Sequence, residues 1–275
     1  MWLSDAPVSP GCVTFFGTIT AMPSALSAET AFTLEREPGH RLRGYAQLAA
    51  PGPVGIFVHG FRSHADGDKS RALAAHASGR GYAWVRVDLS GHGESDGDFC
   101  GFRISSLRDD VLAVMAKVAR PAVVVGSSMG AWLSVLAALE RPAQVKGLVL
   151  LAPGFDFLAT IFSELSSEEQ ALWQRRGCHR FQSPWEPLPY ALPFEALADA
   201  RAVHVLGRPL ELPCPVHIIH GRRDEVVPLS VSERFLKLTT APTTSLEIVE
   251  DGDHRLHTGL PAIFRAVDRM FSLPA

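Results

Sequence analysis

The sequence predicts an α/β fold: a mostly parallel central sheet flanked by helices, with a cap inserted in the second half of the chain. Three observations carry that expectation. Short apolar strands alternate with helical periods between residues 54 and 151, the order that a parallel sheet covered by helices on both faces produces. The stretch V-V-V-G-S-S-M-G, residues 123–130, runs a β-branched strand straight into a helical pattern and leaves Ser128 on the turn between them. From Gly154 to Leu212 the alternation stops, and eight of the chain's 23 aromatic residues (Phe155, Phe157, Phe162, Trp173, Phe181, Trp185, Tyr190, Phe194) fall there within forty positions.

Each element follows from its local pattern. Residues 1–27 mix Pro, Gly, Ser and Thr with scattered apolar residues and no period, which predicts an N-terminal extension ahead of a domain spanning 28–275; Met22 is a second candidate start. Alternation over 31–34 and 42–48, joined at Pro38-Gly39, predicts an entry hairpin. The segment 54–58 is apolar on both faces, as a covered parallel strand must be. A helix is expected over 69–78, a strand over 82–87, and a second helix through Leu107, Val111, Val114, Met115 and Val118. The strand before Ser128 and its helix come next, then a buried strand at 146–151. Beyond the insertion, expected at about 154–212, strands are predicted at 215–220 and 244–249. Enrichment of aromatics on an insertion suggests a cap whose apolar face shapes an acyl or aryl pocket.

A G-x-S-x-G pattern on a strand-to-helix turn presents a nucleophile. Gly126 and Gly130 remove β-carbons that would clash there, and the helix N-terminus behind Ser128 favours developing negative charge. A nucleophilic serine needs a base, an acid to hold that base, and donors for the oxyanion. His254, directly after the last strand in D-G-D-H, is the expected base. Asp224, directly after the preceding strand in G-R-R-D-E-V-V-P, is the expected acid, at the carboxyl edge of the sheet where ligand sites collect. Glu225 is the competing carboxylate and would point elsewhere on a tight turn. Amides of Phe61, in the H-G-F loop after 54–58, and of Met129 are the expected oxyanion donors.

The remaining polar residues receive plainer readings. His92 precedes the nucleophile and breaks the expected order, His220 reads as a packed histidine at a strand end, and His257 as a surface or supporting residue. The glycine-dense loop 88–97 matches no phosphate-binding spacing, and its carboxylates would repel an anion, so it reads as a tight loop near the active edge. His217 and His220 would face opposite sides of their strand, which argues against a shared metal. Neither a metal nor a cofactor is expected.

Composition narrows the partners. A net charge of -3 without a basic stripe gives no reason to expect nucleic acid or an anionic membrane surface, and the substrate is expected not to be a polyanion. No apolar run approaches the ~20 residues that span a bilayer. Cys12, Cys100, Cys178 and Cys214 form no C-x-x-C pair and read as free thiols of a reducing compartment. The first basic residue is Arg36, so residues 1–35 lack the charge of a secretory or organelle signal, and a cytoplasmic location is expected.

Taken with the order Ser, Asp, His, the motifs H-G-F-R-S followed by G-D-K, S-G-H-G-E-S-D-G, G-S-S-M-G, C-P-V-H-I-I-H-G-R-R-D-E-V-V-P and D-H-R-L resemble the α/β-hydrolase superfamily from Thr30 to nearly the C-terminus. More narrowly they are similar to a subgroup whose mitochondrial animal members act as acyl-protein thioesterases and acyl-glucuronide esterases. The resemblance implies a cofactor-free serine hydrolase of carboxylic esters or thioesters in which Ser128, Asp224 and His254 carry the chemistry. Gly130-Ala131 stands where that subgroup often has two glycines, and its targeting segment is not visible here. The competing readings are a hydroxycinnamoyl-type carboxylesterase and a hydrolase-shaped protein that binds an apolar ligand without cleaving it.

Overall fold

The computed structural model describes residues 29–182 and 189–274; the expected extension at 1–27, with Cys12 and Met22, and Trp185 of the insertion lie outside the described residues. The expected hairpin is β1 (Thr30–Glu37) and β2 (His40–Gln47), paired antiparallel around Pro38-Gly39, where Gly39 takes φ 78°. Then β3 (Val54–Val58), α1 (Asp68–Arg80), β4 (Ala83–Val87), α2 (Ile104–Val118), β5 (Ala122–Ser127), α3 (Met129–Glu140) and β6 (Val145–Leu151) alternate as the sequence predicts. The following segment contributes α4 (Phe157–Glu164), α5 (Ser167–Arg176), the antiparallel pair β7 (Cys178–Phe181) and β8 (Tyr190–Pro193), α6 (Phe194–Ala202) and the short β9 (Leu210–Glu211). The chain rejoins the main sheet at β10 (Val216–Gly221), passes α7 (Leu229–Leu238) and the short β11 (Thr239–Thr240), and ends with β12 (Thr244–Val249) and α8 (Leu260–Phe271).

The main sheet has eight strands in the order β1-β2-β4-β3-β5-β6-β10-β12. It is parallel from β4 to β12, with β2 antiparallel to both β1 and β4. Alternate residues of each strand feed opposite cores, as the period of two requires. Val124 faces the core built with α2, α3 and Phe235 of α7, whereas Val123 and Val125 face the one built with Leu73 and Ala77 of α1 and Ile263 and Val267 of α8. Helix α3 is buried from Met129 to Ala138, which explains its near-continuous apolar sequence. Helix α8 buries only Ala262, Ile263, Ala266, Val267 and Met270, one stripe at helical spacing.

This topology places the site. In a parallel sheet every strand end of one sense opens on the same edge. The loops after β3, β5, β10 and β12, which carry Phe61, Ser128, Asp224 and His254, therefore meet at one end of the sheet.

Candidate active site

Ser128 sits between β5 and α3 with φ 55° and ψ −117°, a backbone conformation that a non-glycine residue holds only under local constraint. The constraint is close packing. A β-carbon on Gly130 would lie 2.1 Å from the Val58 carbonyl oxygen, and one on Gly126 would lie 2.4 Å from the Gly130 carbonyl oxygen. Substituting either would push β3, β5 and α3 apart. The Ser128 amide is held by the Leu151 carbonyl at 2.8 Å, and its own carbonyl accepts from Gly154 at 3.1 Å.

The His254 imidazole bridges two residues far from it in sequence. Its Nε2 lies 3.0 Å from Ser128 Oγ, and its Nδ1 lies 2.8 Å from Asp224 Oδ2. Backbone bonds clamp the two donor loops together: the Arg222 amide donates to Val249 and the Arg223 amide to Gly252, both at 2.9 Å. Asp253 accepts from the Leu256 amide at 3.0 Å and closes the turn that carries His254. The Asp224 side chain is fully buried. Burial alone would raise its carboxyl, but hydrogen bonds from His220 and His254 and the Val227 amide outweigh it and hold the group well below the usual carboxylate range. Glu225 is exposed, as is His257.

Phe61 lies in the loop after β3, and the preceding Gly60 packs on Ser128: a β-carbon there would be 3.2 Å from Ser128 Cβ. Buried His59 governs the peptide between them. The Leu89 amide donates to His59 Nε2 at 3.1 Å, so the ring proton sits on Nδ1, which donates to the Gly60 carbonyl at 2.8 Å. The Ser63 amide donates to the same oxygen at 3.2 Å. Because the peptide is planar and trans, fixing that carbonyl fixes the Phe61 N–H in the opposite direction. Burial, with His92 beside it, pushes the His59 imidazole down to about 3. The Met129 amide opens α3 and has no acceptor within the helix.

Two further residues at the site, Lys69 and His220, lie inside the G-D-K and H-I-I-H-G motifs, which do not report their contacts. Lys69 donates to the Ser127 hydroxyl at 3.0 Å, directly beside Ser128. Its stem is partly exposed while its ammonium is interior, and burial pushes the amine down to about 8 against the attraction of Asp253 and Asp224. His220 Nε2 lies 3.2 Å from Asp224 Oδ2, the same oxygen that His254 meets. His92 is buried against His59 and Phe99, with Nδ1 on the Ser90 carbonyl, and takes no part in the Ser128 line. The glycine-dense loop closes on Asp88, which accepts from the Ala65 and Glu94 amides.

The aromatic residues of the insertion divide by contact. Phe162, Trp173, Phe181 and Phe194 pack on one another, and Phe155 stacks on Phe235. Phe157 and Tyr190 also reach the ring of Phe61, with centroids 5.3 and 5.4 Å away, Phe99 and Phe102 complete that cluster, and the stacked pair Phe181 and Tyr190, 5.5 Å apart, joins the two groups. A wide groove of about 910 Å³ opens between α4, α6 and α7, but Ser128, Asp224 and His254 do not line it. Among the described residues no three His, Cys, Asp or Glu side chains converge as a metal site, and no helix is long and apolar enough to cross a membrane.

Sheet, turn and side-chain geometry together define an ester-bond hydrolase of the α/β-hydrolase fold. Comparisons with known proteins agree. The family model described as serine aminopeptidase, S33, matches residues 50–177. The rat palmitoyl-protein thioesterase ABHD10, a mitochondrial protein, is 30% identical over 235 residues, 85% of this chain and 79% of that protein. Solved structures include a putative hydrolase from Agrobacterium vitis S4 (TM-score 0.83, 30% identity, 89% of this chain and 99% of that one). Mouse α/β hydrolase domain-containing protein 10 superposes with TM-score 0.81 at 29% identity, over 88% of this chain and 98% of that one. The chain belongs to the ABHD10 family of α/β hydrolases. This corrects the expected cytoplasmic location, because the rat, mouse and human relatives are mitochondrial proteins. The expectation rested on missing basic residues, and an absence of charge does not name a compartment.

Proposed function

We propose that the chain is a serine thioesterase that removes acyl groups through an acyl-enzyme on Ser128, with the segment 154–212 as a cap over the acyl site. The observation that carries the reading is the continuous hydrogen-bonded line from Ser128 through His254 to Asp224, at 3.0 and 2.8 Å. In this reading His254 Nε2 takes the Ser128 proton as Oγ attacks the acyl carbon, while Asp224 holds the ring and stabilises the imidazolium. The amides of Phe61 and Met129 receive the oxyanion, a contribution of ~3 kcal/mol per donor. Return of the proton from His254 to the leaving thiolate or alkoxide frees the first product. Water, activated by the same imidazole, then attacks the acyl carbon, and collapse of the second oxyanion restores the Ser128 hydroxyl.

The cluster of Phe61, Phe99, Phe102, Phe157 and Tyr190 supports an apolar acyl chain as the recognised group, since these rings gather on the loop that carries one of the two oxyanion donors, Phe61. The thioesterase relative at 30% identity favours thioesters over hydroxycinnamoyl esters. Matched series of acyl thioesters and p-nitrophenyl esters of increasing chain length test this. The expected result is a kcat/KM that rises with chain length in both series; preference for a phenolic hydroxycinnamoyl ester over every aliphatic chain would reverse the substrate assignment.

A further inference from the structure

A second imidazole lies against the triad carboxylate. His220, near the end of β10, is fully buried, as is the side chain of Asp224. Its Nε2 is 2.9 Å from the Val227 carbonyl oxygen and 3.2 Å from Asp224 Oδ2. Both partners are acceptors, so Nε2 carries a proton; it donates to the Val227 carbonyl, and Asp224 Oδ2 lies at ion-pair distance from the same N–H. On the other side of the ring, Nδ1 meets the hydroxyl of Ser232 at 2.7 Å, and Ser232 is itself fully buried on α7.

We propose that His220 is a positioning residue for the reaction: it holds the Asp224 carboxylate with Oδ2 turned to His254, and Ser232 on α7 sets the ring that does so. The inference rests on the triad reading above. Asp224 Oδ1 accepts from the amides of Val226 and Val227 at 2.9 and 2.8 Å, which anchors one oxygen. The torsion that turns a carboxylate about its bond to Cβ is soft but moves both oxygens together, so the Val226 and Val227 amides at Oδ1 and the His220 N–H beside Oδ2 act on one rotation from its two ends. His220 also brings a donor to a carboxylate that burial would otherwise disfavour as an anion. A histidine needed only for packing would be satisfied by Val227 and Ser232; the contact with Oδ2 goes beyond that. His220 touches neither Ser128 nor the acyl site, and acts through Asp224.

A double-mutant cycle in the full chain tests this, with p-nitrophenyl ester kinetics, the rate of Ser128 labelling by a fluorophosphonate, and Tm as readouts. His220→Leu is expected to lower kcat and the labelling rate ~10- to 100-fold with KM within ~2-fold. His220→Gln, whose amide can reach the same two acceptors, is expected to recover most of the loss. In an Asp224→Asn background His220→Leu should cost less than ~2-fold further, because its effect passes through that carboxylate. Wild-type rates in His220→Leu, or losses that multiply in full, would overturn the positioning role while leaving the triad intact. Asp224→Asn with wild-type rates would instead remove the triad reading and this inference with it. If His220→Leu does not fold, Ser232→Ala decides: a ~3-fold loss of kcat that disappears in the Asp224→Asn background supports the role, and unchanged kcat overturns it.

Discussion

His59 holds the carbonyl of Gly60 at 2.8 Å from the interior side of the loop, and that bond, together with the one from the Ser63 amide to the same oxygen, orients the peptide whose N–H belongs to Phe61. Two consequences follow, one for rate and one for acid stability. Replacing His59 with Leu releases the peptide, and kcat is expected to fall ~10²-fold with little change in KM, the pattern of a donor that acts in the transition state. Steady-state kinetics on a p-nitrophenyl ester check it.

The acid limb of stability carries the second consequence. The folded imidazole is pushed down to about 3 from an ordinary 6.5. Between those values the unfolded chain binds a proton that the folded one refuses, so stability falls as pH drops below 6.5 and stops falling at about 3. The slope reaches up to ~1.4 kcal/mol per pH unit. Urea unfolding at pH 7 and pH 5 is expected to show a larger drop for the wild type than for His59→Asn, which has no proton to refuse.

Lys69 gives the same sign in an alkaline window. Its amine is lowered from 10.5 to about 8, so the unfolded chain holds the extra proton between those values and stability rises with pH across that range. Lys69→Met, which keeps the stem and removes the charge, is expected to be more stable than the wild type at pH 7, by on the order of 2 kcal/mol. The difference should shrink as pH approaches 10. Denaturant unfolding at pH 7, 8.5 and 9.5 measures it.

Phe157 and Tyr190 meet the Phe61 ring from two elements of the inserted segment. Phe157→Ala is expected to widen the acyl site and move the preferred chain length upward, by ~10-fold in the ratio of long- to short-chain kcat/KM. Phe194→Ala, in the part of the insertion that packs on Phe162 and Trp173, should lower Tm and leave that ratio unchanged. Comparing the two variants separates pocket from scaffold.

Much of this was legible in the sequence, for reasons that differ by residue. Strands β3, β5, β6 and β10 are apolar on both faces, and Ser128 lies in a turn whose glycines leave an unmistakable local pattern. Asp224 and His254 were found because each directly follows a strand. His59, Lys69 and His220 were not, because what matters about them is a partner elsewhere: Leu89 is 30 residues from His59, and Ser127 is 58 residues from Lys69. Helix α8 went unread although its buried stripe at 262, 263, 266, 267 and 270 has the right spacing. The division of the aromatic residues also depends on contacts that composition cannot report: Phe157 and Phe162 lie one turn and a half apart on α4 yet belong to different clusters.

Fluorophosphonate labelling followed by peptide mass mapping tests the central claim most directly. The account predicts a single adduct on Ser128, loss of thioesterase activity in proportion to labelling, and neither adduct nor turnover in a folded Ser128→Ala variant. An adduct on another residue, or turnover that survives Ser128→Ala, would contradict it.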